Sequence, residues 1–123
     1  MIMLTIRSFF LRNVRNMSTK TYTETQEWFV TVKNKPNHIR LGLTNEAIEQ
    51  LTDLVYIDTD SIDKNKIYEK EETICEIESV KAVENIYAPS DCYVTDFNTE
   101  NLDNINKEPE NLNNWIIEMN IKP

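Results

Sequence analysis

The sequence predicts a mostly β domain, a compact barrel or sandwich that carries one short helix. Several short runs are rich in aromatic and β-branched residues, and polar turns separate them. Apolar and charged residues alternate from Thr73 to Val80, with Cys75 and Ile77 on one face and Glu76 and Glu78 on the other. A chain of 123 residues with 40% hydrophobic side chains has room for one such core.

The first predicted unit is a hairpin followed by a helix. Trp28 to Val32 reads as a strand, residues 33–38 form a turn-prone stretch, and Ile39 to Leu41 resumes the sheet. Thr44 is expected to cap a short helix from Asn45 to Leu51, because a threonine hydroxyl can accept a hydrogen bond from a free amide of the first turn. The helix would bury Ala47, Ile48 and Leu51 on one face.

Further strands follow at short intervals. Leu54 to Ile57 is predicted to be fully buried, and the charged stretch from Asp58 to Glu72 to be a solvated loop. Ala88 to Asp91 marks a turn before a strand at Tyr93 to Phe97. Trp115 to Ile121 is predicted to be a final strand with one apolar face.

The turns of this β domain have to form almost without glycine. Gly42 is the one glycine in the chain, although such turns often need a positive φ. Asparagine is expected to replace it, since its side chain tolerates the left-handed region. The asparagines at expected turns are Asn98, Asn101, Asn104, Asn111, Asn113 and Asn114.

Composition narrows the classes of function. The net charge of −8 repels phosphate backbones and argues against nucleic-acid binding, and it favours a monomer with basic protein partners. No apolar run reaches the roughly 20 residues that cross a bilayer, so no membrane segment is expected. A lone His38, two cysteines and one glycine leave no recognisable metal cluster, catalytic dyad or phosphate loop. Cys75 and Cys92 are expected to be buried thiols.

Residues 1–20 differ in charge from the rest of the chain. They contain Arg7, Arg12, Arg15 and Lys20 and no acidic residue, whereas all 21 acids follow them. Arginine without acid, mixed with serine and apolar residues, is typical of a mitochondrial transit peptide, and the alternative is an ordinary disordered N-terminus. We expect a leader at 1–20, a carrier domain at 21–123 and a location in the mitochondrial matrix.

A lysine follows the alternating strand, within Glu78-Ser79-Val80-Lys81-Ala82. An exposed lysine at the end of a strand is most often simply solvated, and these residues alone leave that reading open. Whether Lys81 is simply solvated or has a function is judged from short segments on either side of it, which match one protein family in order and in spacing. They are Glu27-Trp28, Leu41 to Ala47, Leu54 to Asp58, Ile86 to Pro89, Glu108-Pro109, Trp115 to Ile117 and Ile121 to Pro123.

Together these segments resemble the H-protein family of the glycine cleavage system, mitochondrial type, from Tyr22 to Pro123. The residues around Lys81 are identical to the lipoylation motif of that family. There are departures: Gln26 stands where histidine is usual, Asp91-Cys92 replaces a Ser-Gly turn, and the chain is expected to lack the family's C-terminal helix.

The resemblance implies a fold and a set of site residues. The fold would be the barrel-sandwich hybrid, or hammerhead, of lipoyl and biotinyl domains, with one or more short helices. Lipoic acid would be amide-linked to Lys81, and Glu78, Ser79, Val80 and Ala82 would present that lysine to lipoylating enzymes. Glu27 would clamp the loaded arm through the cargo's ammonium group, unless it is an ordinary solvated glutamate.

The resemblance also implies partners. Such a carrier is not an enzyme: it would receive an aminomethyl group from glycine decarboxylase, pass it to the tetrahydrofolate-dependent aminomethyltransferase, and be reoxidised by dihydrolipoamide dehydrogenase. Five alternatives remain. They are a lipoyl relay, a lipoyl domain serving 2-oxoacid dehydrogenase complexes, a biotinyl domain, an interaction module that has lost glycine cleavage, and a small hydrolytic enzyme.

Overall fold

Eight strands and two short helices make up the chain in a computed structural model that describes residues 20–122. The strands are β1 (Thr21–Tyr22), β2 (Glu27–Thr31), β3 (His38–Leu43), β4 (Leu54–Ile57), β5 (Thr73–Ser79), β6 (Val83–Tyr87), β7 (Cys92–Phe97) and β8 (Ile117–Ile121). The helices are α1 (Asn45–Leu51) and α2 (Leu102–Lys107), and a 3-10 turn spans Leu112–Asn114. The predicted leader at 1–20 lies, except for Lys20, outside the described residues.

The strands form two antiparallel sheets. One has the order β1-β2-β3-β8-β7 and the other has the order β4-β5-β6. Both sheets contribute to one core, in which Leu41 and Met119 from the larger sheet meet Ile77 and Ile86 from the smaller one. The prediction of a mostly β domain with short helices is therefore confirmed.

The first hairpin and the helix after it form where the sequence predicts them. Strands β2 and β3 pair with Trp28 opposite Gly42. The Thr44 hydroxyl accepts a hydrogen bond of 3.1 Å from the Ala47 amide, and the helix buries Ala47, Ile48 and Leu51. A cap and an apolar face at helical spacing thus stabilise seven residues that would not form an isolated helix.

Gly42 is required for packing and not for its backbone angles. A Cβ atom placed on it would lie 2.4 Å from Cζ2 of the buried Trp28 ring. The indole nitrogen of Trp28 donates a hydrogen bond of 2.9 Å to the carbonyl of Pro109, which fixes the ring across the strand. The close approach of ring and backbone explains why this position takes a glycine.

Strand β4 corrects the prediction that Leu54 to Ile57 is fully buried. Leu54 and Ile57 are buried, but Val55 and Tyr56 are 52% and 44% exposed. The register of β4 against β5 shifts between Leu54 and Tyr56. This irregularity places two consecutive apolar side chains on the surface, which an apolar run of four residues does not reveal.

The last strand also differs from its prediction. Strand β8 begins at Ile117 and lies between β3 and β7, so both of its edges are paired. Four of its five residues are buried, so both of its faces are largely covered as well. Glu118, expected on a polar face, is only 3% exposed. It accepts hydrogen bonds from Arg40 Nε at 3.0 Å and from Lys35 Nζ at 3.2 Å, and these cations compensate the buried charge.

The prediction that the named asparagines adopt left-handed turns is wrong. Among the described residues, positive φ angles occur at Gln26, Asn34, Asn37, Thr52 and Glu71. Asn101 instead caps α2, a helix that the sequence analysis did not predict, and Asn111 caps the 3-10 turn. Asparagine is common both in left-handed turns and at helix N-caps. Here its side-chain oxygen accepts hydrogen bonds from free helix amides.

Both cysteines lie in the core as free thiols, as predicted. Burial raises the pKa of Cys75 and that of Cys92 to about 12, with smaller contributions from nearby carboxylates. Protonated, buried thiols of this kind pack as small apolar side chains and are poor nucleophiles.

Candidate functional site

The turn between β5 and β6 carries Lys81 and is held by a single serine. The Ser79 hydroxyl oxygen accepts hydrogen bonds from the amides of Lys81 at 3.1 Å and Ala82 at 2.9 Å, and the hydroxyl lies 3.0 Å from the Ala82 carbonyl, to which it donates. The Ser79 amide donates to that same carbonyl at 2.9 Å. The backbone of Lys81 is therefore fixed while its side chain is free to extend.

The tip of this turn projects into solvent. Val80 is 74% exposed and Lys81 is also exposed. The Val80 amide donates to the Asp53 carbonyl at 3.2 Å, which ties the tip to the residue before β4. Within residues 20–122 no salt bridge engages the Lys81 ammonium. This arrangement makes the Lys81 amine accessible to another protein.

A groove of about 630 Å³ starts at Lys81 and Ala82 and runs between α1 and β6. Its apolar lining comes from Leu43, Leu51 and Ile77, and its polar lining includes Gln50 and Glu84. A groove with partly apolar walls beside an exposed lysine can accommodate an aliphatic extension of that side chain.

A second, smaller cavity of about 250 Å³ lies next to the groove. Glu24, Thr25 and Tyr87 line both spaces, so the cavity and the groove share a wall. Glu27 lines the cavity but not the groove, and so do Lys70 and the segment that follows Tyr87. The space lined by Lys81 and the space lined by Glu27 are therefore neighbours.

Glu27 is a buried carboxylate with one unsatisfied oxygen. Its side chain is 1% exposed, so the reading of Glu27 as a solvated glutamate is wrong. One oxygen, Oε1, accepts hydrogen bonds from the hydroxyls of Thr23 and Thr25. The other, Oε2, has no hydrogen-bond partner in the described part of the chain.

Burial raises the pKa of Glu27 above its ordinary value. The hydroxyls of Thr23 and Thr25, and the nearby backbone of Tyr87 and of Glu27 itself, lower it only in part. A desolvated carboxylate with a free oxygen beside a cavity attracts a cation, because ion pairing replaces the hydration lost on burial.

The structure brings the predicted motif residues together and places Glu27 apart from them. Glu78, Ser79, Val80, Lys81 and Ala82 surround one turn, whereas Glu27 begins β2 and meets the groove through shared walls. Thr23, Thr25 and Tyr87 complete the site and were missed. The spacing Thr-x-Thr-x-Glu was the one available signal, and nothing in it shows that the carboxylate is buried.

Two other features, a metal-binding cluster and a membrane-spanning helix, are absent from the described residues. No three histidine, cysteine, aspartate or glutamate side chains between residues 20 and 122 are grouped so that they could hold a metal ion. In the same range, none of the helices is long and apolar enough to span a bilayer.

Known proteins resemble this chain over nearly all of the described region. The family profile described as "Glycine cleavage H-protein" matches residues 20–123. The glycine cleavage system H protein of Thermotoga maritima is 39% identical over 109 residues, which are 85% of this chain and 82% of that protein. A probable glycine cleavage system H protein of Thermoplasma volcanium is 35% identical over 107 residues, covering 82% and 80% of the two chains.

The fold has a solved counterpart as well. The crystal structure of a glycine cleavage system H protein from Mycobacterium marinum superposes with a TM-score of 0.70 and 25% identity, covering 84% of each chain. The solved structure agrees with the mostly β fold described above, and the profile match and the relatives show the family. The chain belongs to the glycine cleavage H-protein family.

Proposed function

We propose that this chain is the lipoylated carrier protein of the glycine cleavage system, with lipoic acid amide-linked to Lys81. The observation that carries the proposal is the serine-locked turn, which exposes Lys81 beside a groove that adjoins the unsatisfied carboxylate of Glu27. A carrier needs both features: a lysine that another enzyme can reach, and an internal place in which the loaded arm can rest.

The residues present fit a lipoyl group. Lys81 is exposed for acylation, Ala82 leaves the tip uncrowded, and the groove offers apolar surface from Leu43 and Leu51 to a hydrocarbon chain. When attached, the lipoyl dithiolane supplies the sulfur that takes up the aminomethyl group and the disulfide that is reduced as it does so. The lipoylating enzyme would recognise Lys81 together with its neighbours Glu78, Ser79 and Val80. Of these, Ser79 fixes the backbone of Lys81 through its hydroxyl.

Glu27 is proposed to hold the cargo between enzymes. Its free Oε2 would pair with the ammonium of an aminomethyl group delivered through the groove, in a cavity that is largely apolar. Excluding water there would slow hydrolysis of the cargo during transit. The hydroxyls of Thr23 and Thr25 keep the carboxylate aimed by occupying its other oxygen.

The proposed partners follow from this role. Glycine decarboxylase would load the arm, the tetrahydrofolate-dependent aminomethyltransferase would unload it, and dihydrolipoamide dehydrogenase would reoxidise it. The chain itself is proposed to act as a monomeric carrier without catalytic activity. A long tethered arm raises the local concentration of the reacting group at each active site, which is the physical advantage of such a carrier.

The location in the mitochondrial matrix is also a proposal. It rests on the charge pattern of residues 1–20, where four of the 13 basic residues occur with none of the 21 acids. N-terminal sequencing of the protein isolated from mitochondria tests it. A new N-terminus near Lys20 would support a cleaved leader, and an intact Met1 in a cytosolic fraction would contradict it.

The first experiment is the intact mass of the protein from its native source, with peptide mapping around Lys81. A lipoyl-sized mass increment on Lys81 that is absent from a Lys81→Arg variant supports the carrier. Incubation of the lipoylated protein with glycine and glycine decarboxylase then separates a glycine carrier from a lipoyl relay or a 2-oxoacid dehydrogenase domain. An unmodified Lys81 under lipoate-replete conditions would overturn the proposal.

A further inference from the structure

Large apolar side chains are unusually exposed around the Lys81 turn. Seven such residues are exposed within residues 20–122, and four of them belong to β4, β6 and the turn itself. These four, Val55, Tyr56, Val80 and Val83, are called the tip patch here; Val80 and Val83 are 74% and 56% exposed. Apolar side chains that are clustered in this way mark contact surfaces more often than scattered ones do.

Strand register places two members of the tip patch in one row across the small sheet. Tyr56 lies directly opposite Glu78, and Glu78 lies directly opposite Val83, so the three side chains form one row on the outer face of the small sheet. The hydrogen bond from the Val80 amide to the Asp53 carbonyl brings Val80 beside the start of β4. The row therefore runs up to the residue that precedes Lys81.

The surroundings of the tip patch are acidic. On the outer face, Glu78 lies between Tyr56 and Val83, and Glu76 lies two residues away in β5. Strands β4, β5 and β6 contain no lysine or arginine. The negative charges of Asp60, Asp58 and Glu78, together with slight burial, raise the pKa of Tyr56. A partner that covers this face thus needs apolar surface together with basic side chains.

We propose that the tip patch, with Glu78 and Glu76 on the same face, is the docking surface for the enzyme that attaches lipoic acid to Lys81. The assignment rests on the proposed function and on reach. An unmodified lysine extends only about 6 Å from its Cα atom, as standard bond lengths require. An enzyme that forms the amide bond at Nζ must therefore cover the residues beside Lys81.

Enzymes that act on the finished arm face a different constraint. The lipoyl chain more than doubles the length of the lysine side chain, so its dithiolane can enter an active site without contact between that enzyme and the tip patch. The same surface is therefore needed for attachment of the cofactor and dispensable for chemistry at the end of the arm. This difference makes the assignment testable.

The test measures initial rates of lipoylation by a purified lipoate–protein ligase, supplied with lipoate and ATP, as a function of apo-protein concentration. Val83→Lys places a cation in the patch, and Glu76→Lys reverses an acidic charge on the same face. Each is expected to raise KM for the apo-protein about tenfold, equivalent to about 1.4 kcal/mol, with kcat within about twofold of wild type. Ile67→Lys and Glu100→Lys make the same changes at exposed residues outside the patch and should leave KM within about twofold.

Two further arms keep the test decisive. Val83→Thr keeps the β-branched shape and should raise KM about threefold even if the lysine variant folds poorly. Variants lipoylated to completion with excess ligase should be reduced by dihydrolipoamide dehydrogenase within about twofold of the wild-type rate, because the arm reaches past the patch.

The outcomes distinguish a failure of the carrier function from a failure of the docking surface. A wild-type protein that the ligase cannot modify at Lys81 would overturn the proposed function itself. A modified wild type with wild-type KM values for Val83→Lys, Val83→Thr and Glu76→Lys would overturn the docking surface alone. Equal losses with ligase and dehydrogenase would also overturn it, since the patch would then serve partners in general.

Discussion

Replacing Glu27 with glutamine is expected to stabilise the apo-protein at neutral pH. The wild-type carboxylate is 1% exposed and leaves Oε2 without a hydrogen bond among the described residues. An unsatisfied buried polar atom costs about 1–3 kcal/mol, and a charged one costs more. Glutamine keeps an oxygen for the hydroxyls of Thr23 and Thr25. Its amide nitrogen takes the place of Oε2 and is unpaired as well, so the substitution stabilises by removing the buried charge.

The sign of the pH dependence follows from the raised pKa of Glu27. Because the folded protein binds this proton more tightly than the unfolded chain, the protonated carboxyl stabilises the fold below its ordinary pKa of 4.5. That contribution is lost as the pH rises through the raised folded pKa. The advantage of Glu27→Gln should therefore be small in acid and grow to about 1–3 kcal/mol at neutral pH.

Urea unfolding of apo-protein between about pH 4 and pH 8 measures this difference. In thermal melts each kcal/mol corresponds to about 4–8 °C in a domain of this size. Glu24→Gln, at an exposed residue that lines the same cavity, is the matched control and should change little. A Glu27→Gln variant that is less stable than wild type at pH 8, or equally stable throughout, would refute the reasoning.

Three other substitutions test the structure. Gly42→Ala should lower stability by about 2 kcal/mol, since its Cβ would lie 2.4 Å from the Trp28 ring, and an unchanged melting temperature would contradict this. Ser79→Ala should slow lipoylation severalfold by releasing the turn, with Ser79→Thr retaining most of the rate in ligase assays. Burial alone would raise the pKa of Glu118, but Arg40 and Lys35 lower it overall. Wild type should therefore lose stability as the pH falls below 4.5, and an Arg40→Gln variant should lose less in an acid titration of unfolding.

Periodicity and capping were sufficient for elements whose signals are local. The alternation from Thr73 to Ser79, the hairpin of β2 and β3 and the helix behind Thr44 each depend on residues within a few positions of one another. Local patterns failed where neighbours in space decide the outcome. Val55 and Tyr56 form an apolar run, yet they reach the surface because β4 shifts its register against β5.

The family of the chain was also accessible from sequence. Lys81 could be proposed as the attachment residue from sequence as well, because the motif around it is short and contiguous. The physical basis of the role proposed for Glu27 is visible only in the tertiary structure. Its burial, its unsatisfied Oε2 and its pairing with two threonine hydroxyls arise only when β2, the loop before it and Tyr87 enclose one cavity. A carboxylate's environment depends on which distant segments remove water from it, and no local pattern records that.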